Sequence, residues 1–92
     1  MWVVNNNKER IKIYLKNDIE SNITNLTDAS NRIHDTIAAI NRTIAGAATG
    51  VDNQMIGDCQ RALQELSTSL QSLYVCRNYV DRLETREWID DE

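Results

Sequence analysis

Thr43-Ile44-Ala45-Gly46-Ala47-Ala48-Thr49-Gly50-Val51-Asp52 divides the chain almost in half. The stretch is small-sided, apolar and holds two of the three glycines, Gly46 and Gly50, so the backbone can turn there without a Cβ clash. On each side lies a long segment of helical pattern with no proline to interrupt it. The stretch therefore reads as the bend of a helical hairpin.

Working outward, the first arm carries Leu15, Ile19, Ile23, Leu26, Ser30, Ile33, Ile37, Ile40 and Ile44 at steps of four and three. That spacing draws one apolar stripe along a helix. Its other faces hold Asn17, Asn22, Thr24, Asn25, Asp28, Asn31 and Asp35, which are poor helix formers. Packing against a second element must hold such a helix. The second arm repeats the spacing with Met55, Cys59, Ala62, Leu66, Ser69, Leu73, Cys76, Val80 and Leu83, widened by Leu63 and Leu70. Asp52 or Thr49 supplies a side-chain oxygen suited to its N-cap. The expected architecture is all-α, one domain over 1–92: arm one about 5–45, bend about 46–51, arm two about 52–88.

A short bend makes the arms antiparallel, so facing residues have numbers summing to about 97. This register sets Ile40 on Gly57, and predicts that Gly57 sits inside a helix to let Ile40 approach closely. It also brings Trp2 and Trp88 to the same open end, where packing of the two rings is the expectation. The acidic tail Asp90-Asp91-Glu92 disfavours a helix C-terminus and is expected to fray.

A two-helix seam needs less apolar surface than these arms offer. Ile11, Tyr14, Leu63, Leu70 and Tyr79 flank it and form a candidate partner interface. A four-helix bundle, built with a partner hairpin or a second copy, would cover that flank.

Composition narrows the functions. A net charge of -4 argues against nucleic-acid binding, and the basic cluster Lys8, Arg10, Lys12, Lys16 reads as a solvated face balanced by Glu9, Asp18 and Glu20. No stretch has the length and apolarity of a membrane span, and Met1-Trp2-Val3-Val4 is too short for a signal-peptide core. Cys59 and Cys76 would lie ~25 Å apart on one continuous helix, beyond disulfide reach. Both read as small core residues in a reducing compartment. His34, the single histidine, sits on the polar side of its arm with no cysteine placed to use it as a base. Neither zinc-ligand spacing nor a phosphate loop is present in the pattern. Three Asn-X-Thr triplets, beginning at Asn22, Asn25 and Asn41, carry little weight in a chain rich in these residues. The expectation is a protein-binding module with no catalytic residue, cofactor or metal.

The length, the two equal arms and the bend Ile44-Ala45-Gly46-Ala47-Ala48 resemble the WXG/LXG superfamily of type VII secretion. In that family the bend carries Trp-X-Gly, often followed by alanines. Gly46 matches the family glycine, and Ile44 stands where the tryptophan would be. The family's Tyr-X-X-X-Asp/Glu export signal is not matched, since Leu83 follows Tyr79 at that spacing and Asn78 follows Tyr74. The resemblance implies a diverged helper, cytoplasmic or exported without a signal peptide, that binds the helical targeting domain of an LXG-type effector and assists its export. The alternative is a self-associating helical adaptor or export chaperone outside type VII systems.

Overall fold

The computed structural model describes residues 1–43 and 50–90. Two helices dominate it, α1 over Asn6–Thr43 and α2 over Gly50–Asp81, packed antiparallel as an all-α hairpin. Two short strands, β1 over Trp2–Val4 and β2 over Arg86–Trp88, pair antiparallel across the end opposite the bend. The principal extents are 81 × 15 × 12 Å. The radius of gyration is 21.8 Å, against about 12 Å for a compact chain of this length. The molecule is a rod.

The register matches the expected sum. Arg77 pairs with Glu20 at 3.2 Å and Lys16 with Asp81 at 3.1 Å, each couple adding to 97. The α1 stripe is also as expected: Ile19, Leu26, Ser30, Ile33, Ile37 and Ile40 are half-buried and Ile23 is buried. Leu15 lies at its exposed edge.

The α2 stripe differs by one residue at every second position, while Cys59, Leu66, Leu73 and Val80 lie on it as expected. Ile56, Cys59, Leu63, Leu66, Leu70, Leu73, Arg77 and Val80 lose exposure at steps of three and four, joined by Ala62. Met55, Ser69, Cys76 and Leu83, expected on the stripe, are exposed. Arg77 is the reason the pattern misleads. A charged side chain occupies a seam position because its stem packs while its guanidinium pairs with Glu20 and lies 5.0 Å over the Tyr74 ring. Gly57 consequently falls outside the seam. It is exposed, and a Cβ built there would meet nothing within 4 Å, so the expected close approach of Ile40 does not occur.

Arm two is shorter than expected, ending at Asp81 instead of about residue 88. The geometry that closes the end is simple. Beyond the Lys16–Asp81 pair, α1 continues for ten residues, a rise of about 15 Å. Arg82 and Leu83 tighten the end of α2, their N–H groups donating to the carbonyls of Tyr79 and Val80, and the chain then runs on through Glu84 to bring Thr85 level with Asn5. There Asn5 N–H donates to the Thr85 carbonyl at 2.8 Å. Asn5 also caps α1, its Oδ1 accepting the Lys8 N–H at 3.0 Å and its carbonyl the Glu9 N–H. Since α2 begins at Gly50, Asp52 lies within its first turn instead of at the cap, and Thr49 lies outside the described residues.

Four threonines of α1 turn their hydroxyls onto the carbonyl four residues back, from Thr24, Thr27, Thr36 and Thr43. This satisfies the hydroxyl locally and lets a polar helix pass residues that otherwise compete with it.

Candidate protein-interaction surface

The described residues carry very little core. Ile23 and Val80 are the buried hydrophobic residues among them, Thr85 the buried polar one, and no side chain is completely enclosed. The accessible surface is 7071 Å², roughly 1,600 Å² more than a compact monomer of this mass presents. What the hairpin offers chemically is therefore surface.

Of the expected interface residues, Ile11, Tyr14 and Tyr79 are exposed, Tyr14 by 69% and Tyr79 by 66%. Leu63 and Leu70 are half-buried and share the α2 stripe that faces α1. Ile11 and Leu83 line a groove of about 170 Å³ with Lys8, Lys12, Glu84 and Thr85, between the first turns of α1 and the 82–85 connection. A cavity of that size suits one protruding side chain and is smaller than usual small-molecule sites. On the side of α2 turned from the seam, Val75 and Tyr79 form an exposed pair four residues apart. Thr68, Ser72 and Cys76 continue that side as a shallow trough.

The turn residues Ile44, Ala45 and Gly46 lie outside the described residues. His34 is exposed, Cys59 is half-buried and Cys76 is exposed, and both thiols are free. Cys76 therefore does not serve as a core residue.

The open end differs most from the sequence reading. Trp2 and Trp88 do pack together, edge to face at 5.6 Å between centroids, but as an exposed pair on a strand ribbon. Arg86 lies 5.1 Å over the Trp2 ring. Its guanidinium and its own backbone N–H both bond the Glu84 carboxylate. The Arg86 side-chain hydrogen bond, backed by that backbone donor, lowers the Glu84 pKa from 4.5 to about 2. On the other face of the ribbon, Glu87 bonds Lys8 and Asn5, and Lys8 followed by Asn5 holds its pKa below the ordinary value.

Lys8, Arg10 and Lys16 are exposed, as expected, but the groups that balance Lys8, Lys12 and Lys16 lie across the fold instead of within their own arm. Lys8 reaches Glu87, Lys16 reaches Asp81, and Lys12 donates to the carbonyls of Asp81 and Leu83 at 3.1 Å each. Lys12 thus satisfies free carbonyls at the C-terminus of α2, where a cation is favoured. Sequence reasoning missed Glu87 because it lies in a strand ribbon it did not expect, and the carbonyls of Asp81 and Leu83 because it carried α2 on past them. A signal was available: Trp2-Val3-Val4 and Thr85–Ile89 are rich in aromatic and β-branched residues.

Among the described residues no group of His, Cys, Asp and Glu is arranged to hold a metal ion, and no helix is long and apolar enough to cross a membrane. Compared with models of known families, with characterised proteins and with solved structures, the chain matches none.

Proposed function

We propose that this chain is a non-enzymatic helical-hairpin helper of type VII secretion. It binds the helical targeting domain of an LXG-type effector and assists its export. The observation that supports this reading is the uncovered rod: two helices about 57 and 48 Å long that leave only Ile23 and Val80 as buried hydrophobics among the described residues. A surplus near 1,600 Å² on one chain suits a permanent complex, whose interfaces exceed about 2,000 Å² in total. Ile11, Tyr14, Val75 and Tyr79 are the exposed anchors such a partner would cover, aromatic side chains being favoured in that role. In this reading the chain meets its effector in the cytoplasm.

Co-expression with the helical domain of a neighbouring toxin-bearing reading frame tests the proposal. The expected result is a stable one-to-one complex of defined mass. A chain that stays monomeric and fails to bind that domain would sink it. A tight side-by-side homodimer would instead favour the self-associating adaptor.

A further inference from the structure

The strand ribbon has two edges, and they are not equivalent. Met1 and Ile89 exchange hydrogen bonds, and Asn5 donates to Thr85. Pairs alternate along an antiparallel ladder, so in the observed register Val3 and Glu87 form the next bonded pair. The N–H and C=O of Trp2 and Val4 therefore point to the outer edge of β1, and those of Arg86 and Trp88 to the outer edge of β2.

The β2 edge is obstructed. Its Arg86 N–H is taken by the Glu84 carboxylate at 2.8 Å. Two copies meeting there about a two-fold axis would also set Glu87 against Glu87, a like-charge pair directly opposite. The β1 edge has neither obstacle. No charged side chain occurs from Trp2 to Asn7. Trp2 and Val4 are 53% and 52% exposed on the same face. A two-stranded ribbon is marginal alone and gains from further strands.

We infer that the β1 edge is a self-association site that pairs with β1 of a second copy. The pattern is self-complementary about a two-fold axis at Val3. Trp2 of one copy exchanges both backbone bonds with Val4 of the other, and the reverse pair does the same, giving four bonds. Each exposed Trp2 gains a β-branched neighbour across the junction, a favoured cross-strand pair. With the β2 edge obstructed, pairing closes at the dimer instead of propagating as a fibre. The patch is small, so the dimer is concentration-dependent.

The strands extend the rod, since α1 accounts for about 57 Å of its 81 Å. Antiparallel pairing of the tips therefore sends the two rods in opposite directions. A side-by-side bundle and this tip-to-tip dimer have very different lengths. Self-association at the tip is independent of the helical flank assigned to the effector.

Small-angle scattering with sedimentation over a concentration series provides the test. The expected dimer is about 150 Å long, twice the rod less about 15 Å of strand overlap. Val4→Pro removes the outward donor without touching an inward ladder bond, and should weaken the dimer by about tenfold to a hundredfold. Unchanged helical signal and tryptophan emission would show that the variant folds. As an independent measurement, V3C should form an interchain disulfide under mild oxidation in a C59S/C76S background. The facing Cα atoms of a non-hydrogen-bonded pair lie about 4.5 Å apart. V75C, on the outer side of α2, should cross-link far more slowly. A monomer at every attainable concentration, a dimer near the length of one rod, or V3C cross-linking no faster than V75C would each overturn the inference.

Discussion

The middle of the rod and its strand-closed end join the same two chain segments by different means. Along residues 19–40 and 56–73, aliphatic side chains meet in a stripe and register follows helical periodicity, with numbers adding to about 97. At the end the partners add to 90, and contact rests on backbone bonds, an asparagine cap, exposed ion pairs and a tryptophan pair. The middle resists change through apolar burial. The end depends on geometry, because an exposed ion pair adds little by itself. Both tryptophans of the chain lie at the end, so their emission reports the end while helical circular dichroism reports the middle.

That separation of signals makes the comparison testable. The largest effect is expected from Ile23→Ala, which removes the buried centre of the stripe. It should lower stability by about 2–3 kcal/mol in urea denaturation followed by circular dichroism. Asn5→Ala strikes the end. It removes the α1 cap and the bond to Glu87, costing about 1 kcal/mol, and should move the tryptophan transition ahead of the helical one. Coincident transitions in that variant would mean that the two regions are one cooperative unit.

Gly57→Ala probes the middle in the opposite direction. With open space around an exposed helical position, alanine should raise stability by about 0.5–1 kcal/mol. A loss would restore the close helix approach that the sequence suggested there.

Acid should produce the smallest effect, and only at the end. Glu84 and Glu87 have folded pKa values below 4.5, so each favours the folded ribbon above its unfolded value and loses that contribution as pH falls through its folded value. For Glu84 the window runs from about 4.5 down to about 2. Tryptophan emission should shift in that window before the helical signal does, and Glu84→Gln should flatten its Glu84 component.

The sequence made the middle legible because helical periodicity is redundant: seven α1 positions from Ile19 to Ile40 repeat one message. A single misleading residue could still displace the reading of α2. Arg77 looks like a surface residue, and passing over it in favour of Cys76 shifts every second position of the stripe by one. The shift also placed Gly57 wrongly and put Leu63 and Leu70 on the flank. The end was poorly legible because three-residue strands carry almost no periodicity. Their pairing joins residues more than eighty positions apart, and nothing near Lys8 or Lys12 in sequence names a partner in β2 or the 82–85 connection. The exposed members of the candidate interface, Ile11, Tyr14 and Tyr79, were readable as apolar residues off the stripe, which needs only helix geometry.

The uncovered middle of the rod is proposed to be completed by a helical protein partner. Amide hydrogen exchange on the chain alone and with the helical domain of the proposed effector decides the point. Exchange along α1 and α2 should slow strongly in the complex, while the β1–β2 end changes little. Unchanged exchange along both helices in the presence of that domain would contradict it.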